Sequence, residues 1–426
     1  DGVTVAVLLV MPIGMTAGVV LPAVALAAIS TEPPNAARAP PSPLPPCNLN
    51  GVPAVGGGCK CDAAWDGPEC GTLAVLPAPV DGGYRHRSTS SWGGNAIYDP
   101  ATRLYHGYFA EFVQHCGLWT WGTNSRVVHA TAPAAVGPYT FADEALPPQG
   151  HNPHIARANG TTGQLLLWHI HVPNRSCLGP AYSCARVCVN GSTPPLVRAA
   201  VVAAAGEPAG RRGPLRHRDL VAINWTRNSG QLHMAPALDG PWVGAVGTPS
   251  MGACENPSPW YNADGSSVRT CEGPGHYQPG VDFAPSGWRG PYTAPRRNVT
   301  CANVLPPSAS HSFECEDPVI WRNSRGEYHL LAHAMGPWPM PSGVHAYSTD
   351  GQQWYCTPTP PYNGTVVYET GQVVNMAKRE RPKVLLNQTT GEIAVLFNGV
   401  TPQNEHVDDY SFTLAVPIRQ SKDLQP

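Results

Sequence analysis

The chain has 426 residues (45.2 kDa), with 27 Lys+Arg against 29 Asp+Glu and only 13% charged residues. A net charge of -2 supplies no field that would gather a polyanion, which argues against nucleic acid as a partner. Gly (44) and Pro (48) are abundant, but twelve Trp and fifteen Tyr argue against disorder, so turn-rich β structure is expected.

Residues 1–31 are read as a signal peptide or a membrane anchor. Residues 2–31 carry no charge, are long enough to cross a bilayer, and include Ala25-Leu26-Ala27, which suits a cleavage site. Either reading places the rest of the chain in the secretory pathway, extracellular or membrane-anchored. Thirteen Cys fit an oxidising compartment. So do seven N-glycosylation sequons, beginning at Asn159, Asn174, Asn190, Asn224, Asn298, Asn363 and Asn387. Residues 32–46 form a Pro-rich linker, with seven prolines from Pro33 to Pro46.

Residues 47–71, CNLNGVPAVGGGCKCDAAWDGPECG, hold Cys47, Cys59, Cys61 and Cys70 in a segment too short to bury a core without cross-links. Disulfides or a zinc ion could supply them, and the extracellular setting favours disulfides. The spacing Cys59-x-Cys61 followed by Cys70, with Trp65 and Gly67 in the last loop, resembles the C-terminal half of an EGF-like module. Only four cysteines are present where that family has six. The resemblance implies Cys47–Cys59 and Cys61–Cys70 pairing and a role as spacer or contact surface.

Residues 85–415 repeat. His151-Asn152-Pro153, Glu255-Asn256-Pro257, Glu316-Asp317-Pro318 and Glu380-Arg381-Pro382 each precede an apolar strand, a polar turn and a second strand. Trp92-Gly93-Gly94-Asn95 opens a fifth copy without proline. These are hairpin signatures. The repeat from Asn95 to Asn152 is 57 residues and from Asp317 to Arg381 is 64, room for four strands. The longer gap from Asn152 to Asn256 holds an insertion with Cys177, Cys184 and Cys188. Gly137-Pro138-Tyr139, Gly240-Pro241-Trp242 and Gly290-Pro291-Tyr292 mark later turns. Periodic four-stranded units predict an all-β, five-bladed β-propeller, with a β-sandwich as the alternative.

Polar residues opening the inner strands, with Gly-Pro-aromatic turns late in each blade, resemble the glycoside hydrolase family 43 and 32 superfamily over residues 85–415. The resemblance implies hydrolysis of a poly- or oligosaccharide by two facing carboxyl groups. Those families place Asp in blades one and two and Glu in blade three. Here Asn95 and Asn152 stand in the first two places and Glu255 in the third. The catalytic candidates are therefore Glu255, Glu316, Asp317 and Glu380. Trp92, Asn95, His151, Asn152, Asn256, His333 and Arg381 are candidates for substrate binding, Trp92 and Trp338 by stacking from loops near the mouth.

A residue before proline is expected in extended geometry, so one member of each dipeptide faces the cavity. Which member does so stays open. No P-loop, dinucleotide fingerprint, nucleophile elbow or metalloprotease helix is present, and neither cofactor nor metal is expected. The reading from another functional class is a non-catalytic glycan-binding or cell-surface adhesion protein.

Overall fold

A computed structural model of the chain describes residues 44–158, 163–171, 229–245, 254–273, 276–293, 297–299, 314–336, 341–402 and 410–421. The apolar N-terminal segment, most of the Pro-rich linker, the cysteine insertion, Trp338 and the sequons at Asn159, Asn174, Asn190 and Asn224 lie outside them.

Five four-stranded sheets carry the chain in sequence order. Blade one is Ser91–Asp99, Leu104–Phe112, Ser125–Ala132 and Thr140–Leu146. Blade two is Gly150–Arg157, Leu165–His171, Ser229–Ala235 and Val243–Gly244. Blade three is Glu255–Tyr261, Ser267–Gly273, His276–Ala284 and Arg297–Asn298. Blade four is Glu314–Arg322, Tyr328–Gly336, Gly343–Ser348 and Tyr355–Cys356. In blade five the long inner strand Val373–Leu386 pairs with Ile393–Pro402, which pairs with Phe412–Pro417. Thr365–Val367 folds onto the front of the inner strand.

The five inner strands contact one another in turn, and the fifth returns to the first. This is the expected five-bladed propeller. Apolar seams hold the blades. Val268 and Val281 meet Ile320 and Leu330 between blades three and four, while Phe109 and Phe397 close the ring beside Tyr84. The Gly-Pro bonds at Pro138, Pro241 and Pro291 are all cis.

Closure recruits residues before the repeats. Tyr84 and Thr413 exchange backbone hydrogen bonds of 2.9 and 3.1 Å, Leu76 N donates to Pro417 O (2.9 Å), and Arg419 N donates to Ala74 O (3.0 Å). The segment 74–84 is thus a strap along the last strand, where an exposed edge would otherwise leave unpaired backbone groups.

The cysteine module is joined by Cys47–Cys59 and Cys61–Cys70 disulfides, which removes zinc as its cross-link. Instead of standing off as a spacer, it lies against blades four and five. Trp65 is buried with Trp321 and Leu396, its ring 4.7 Å from that of His345. Arg325 reaches Asp62, and Arg419 bonds the carbonyls of Ala63 and Trp65. A further disulfide, Cys254–Cys271, ties the first two strands of blade three.

Candidate active site

Each inner strand opens with a β-bulge, and the bulges place the site. Register shifts fall between Trp92 and Gly94, in the 151–154 region, between Glu255 and Ser258, between Glu316 and Val319, and between Glu380 and Lys383. The extra residue is Gly93, Asn152, Asn256, Asp317 or Arg381, with φ of +64°, +53°, +51°, +59° and +54°. This corrects the expectation of extended geometry before proline. A bulge needs one residue turned to the left-handed region, which Gly adopts freely and Asn and Asp tolerate. Arg381 is the costly member, by roughly 1–3 kcal/mol.

The same alignment corrects the first blade. Gly93, not Asn95, corresponds to Asn152, and Asn95 corresponds to His154. Asn95 is 4% exposed and clamps the Ile155 backbone with two hydrogen bonds of 2.9 and 2.8 Å. It staples blade one to blade two. In the same row His154 Nδ1 lies 3.2 Å from Ser258 Oγ, and Lys383 Nζ donates to Pro318 O at 3.1 Å.

Turned inward, the bulge side chains knot together. Asn152 Nδ2 donates to Asn256 Oδ1 (2.5 Å) and Asp317 Oδ1 (3.1 Å). Arg381 donates to Asn256 Oδ1 at 3.2 Å and pairs with Asp317. His333 Nδ1 lies 3.0 Å from Asp317 Oδ2. Glu272, on the second strand of blade three, accepts from Asp317 N (2.5 Å) and Asn256 Nδ2 (3.2 Å). Asp317 is 0% exposed, enclosed within the knot. Asn152, Asn256 and His333 are buried with it.

The row just before the bulge is Trp92, His151, Glu255, Glu316 and Glu380. Two members, expected to bind substrate, are buried. Trp92 is a strand residue, not a loop residue, and is 0% exposed against Gly399, Phe112 and Leu118. His151 is likewise 0% exposed, with Nδ1 2.8 Å from Ser125 Oγ. Burial, seconded by Arg381, holds its ring neutral. The three glutamates, from consecutive blades, remain partly open.

Burial and crowding set the ionisation of Glu255 and Glu316. Burial, then the charges of Glu316 and Asp317, push Glu255 up to about 7. Glu316, 27% exposed and with Oε2 3.5 Å from His333 Nε2, is pushed up to about 7 by burial and Asp317. Asp317 goes the other way. Burial would raise it, but Arg381 and then His333 overcome that and hold it at about 2. Burial and the neighbouring Glu316 and Asp317 raise Glu272 well above the usual carboxylate range. Despite its burial, His333 is raised, chiefly through Asp317.

Glu316, Asp317 and His333 bring one ligating atom each within 4.8 Å of one another. Asp317 already carries Arg381 on Oδ1, so a cation there would compete with the guanidinium. Glu272 was not legible as a site residue, because nothing in SVRTCEG marks it. Only its register opposite Glu255 brings it to the knot.

No family model and no curated protein matches the chain. Solved structures do. An endo-arabinase from Bacteroides thetaiotaomicron is 11% identical over 80% of this chain and 97% of its own, with TM-score 0.44. A family 117 glycoside hydrolase from the marine bacterium Zobellia galactanivorans is 12% identical over 83% and 91%, TM-score 0.47. An α-L-arabinofuranosidase from Podospora anserina, in complex with cellotriose, is 11% identical over 81% and 95%, TM-score 0.48. These three neighbours are glycan-cleaving enzymes, while a further match, from Dyadobacter fermentans, is of unknown function. At these identities the likeness is one of fold, and the chemistry must be argued from this chain's own residues.

Proposed function

We propose that the protein is a glycoside hydrolase acting on a poly- or oligosaccharide, with Glu255 and Glu316 as its carboxyl pair. The observation that carries this is the pair itself: partly open glutamates at equivalent places of adjacent blades, the charge of Glu316 adding to the burial that pushes Glu255 up. Glycoside cleavage needs one carboxylic acid to protonate the leaving oxygen and one carboxylate to act as base or nucleophile. Two carboxyls that resist joint ionisation divide those roles. Glu316 has His333 and Arg381 to favour its charged form, whereas among the described residues no cation supports Glu255. We therefore assign Glu255 as the acid and Glu316 as the carboxylate, with Glu380 at the rim. The central knot of Asn152, Asn256, Asp317 and Arg381 positions them.

The disulfides support an extracellular or membrane-anchored protein that entered the secretory pathway through residues 1–31. A second reading, glycan binding without cleavage, draws on Asn152 and Asn256 at the axis and on the locking of Asp317 by Arg381.

A screen on aryl-glycosides and on plant and algal polysaccharides separates the two. Turnover by the wild type, lowered roughly 10²–10⁴-fold in Glu255→Gln with binding retained, is the expected result. Retention of a polysaccharide in affinity electrophoresis without turnover of any substrate would select the binding reading.

A further inference from the structure

The hairpin that extends blade five has a solvent face of its own. Thr365 lies opposite Asn375 and Val367 opposite Val373, while Val366 between them is buried. Val367 and Val373 are 45% and 61% exposed, a paired apolar strip on an outer surface. Two residues before Thr365, Asn363 begins the sequon Asn363-Gly364-Thr365 and is exposed.

Asn363 is held but its amide nitrogen is available. Its Oδ1 accepts from Thr365 N at 2.9 Å and its carbonyl accepts from Arg379 Nη1 at 2.8 Å. Among the described residues Nδ2 has no hydrogen-bond partner. Asn387 differs: it is half-buried, its Nδ2 donates to Gln420 Oε1 at 3.3 Å, and its Oδ1 caps the turn at Thr389 and Thr390.

We propose that Asn363 is an N-glycosylation site whose first sugar residues lie along the Val367–Val373 strip. Attachment joins Asn363 Nδ2 to the anomeric carbon of an oligosaccharide carried on a lipid diphosphate. The bond from that carbon to the diphosphate oxygen breaks, the diphosphate leaves, and the amide nitrogen gives up one proton. Asn363, Thr365 and Val367 are exposed while Gly364 and Val366 between them are buried, so the glycan emerges on the face that carries the apolar pair. Pyranose faces then cover aliphatic surface that water would otherwise contact. The inference does not depend on the hydrolase reading.

The test is the full chain secreted from a eukaryotic host behind a cleavable leader, with glycopeptide mass spectrometry. The Asn363 peptide should carry a glycan, Thr365→Ala should lose it, and Thr365→Ser should keep it. The deglycosylated variant Asn363→Gln should bind a hydrophobic dye about twofold more than wild type, and adding Val367→Ser and Val373→Ser should reverse the gain. An unmodified Asn363 in secreted, folded protein would overturn the site. Unchanged dye binding on loss of the glycan would overturn its covering role.

Discussion

Glu316 and Asp317 are adjacent in sequence and titrate in opposite directions, because the bulge points one to the rim and the other into the knot. The sign of each pH effect follows. Asp317, held at about 2, stabilises the fold above its ordinary value of 3.8, and that contribution is lost as pH falls from 3.8 towards 2. Glu255 and Glu316, raised to about 7 from 4.5, favour the folded state below pH 4.5, and their contribution is lost as pH rises to 7. Urea midpoints of the wild type should therefore fall between pH 4.5 and 7, and should do so less in Glu255→Gln. A flat wild-type profile in that window would contradict the assignment. Removing one partner of the buried pair is costlier. Arg381→Ala should destabilise by about 3–5 kcal/mol in urea unfolding, since it leaves Asp317 charged and enclosed. Sequence alone picked out Glu255, Glu316 and Asp317 through the repeated dipeptides. It gave no means of telling rim from knot, because that division depends on backbone φ at the bulge. It also misplaced Trp92, an aromatic whose burial against Gly399 comes from a strand about 300 residues away.

At the scale of the element, five bulges in register explain why prolines recur one residue after the axis position. Proline occupies a place that needs no ladder donor, and four of the five blades use it. Blade one substitutes Gly94, where an added Cβ would meet Tyr108 O at 2.1 Å. Gly94→Ala should therefore open the first bulge and lower the thermal midpoint, whereas Ala at Gly244, whose site is open and whose φ lies outside the left-handed region, should perturb the fold far less. Differential scanning measures both. The hairpins were legible because turn residues and alternating apolar residues act locally. The equivalence of Gly93 with Asn152 was not, since without the proline Asn95 offered the more obvious match. Asn95 lies two residues beyond the bulge residue Gly93, in the row that staples blade to blade.

The whole molecule closes through residues that the repeat pattern does not include. The strap 74–84 completes the outer edge of blade five, and the cysteine module before it covers the apolar end between blades four and five. Trp65→Ala removes a buried aromatic from that seam and should cost about 3–5 kcal/mol, read as a lower urea midpoint of the entire ring and not of a detached module. Five blades and the cysteine segment were foreseeable from spacing. The docking was not, because it rests on contacts such as Arg325 with Asp62 between distant parts of the chain. What the ring accomplishes is to bring Glu255 and Glu316 from adjacent blades to one rim with different electrostatic support. The most direct test is the pH–rate profile for hydrolysis of whichever glycoside the wild type turns over. With Glu255 as the proposed acid, an alkaline limb near pH 7 is expected, and Glu255→Gln should lose it along with most of the rate. A Glu255→Gln variant with wild-type rate and an unchanged alkaline limb would contradict it.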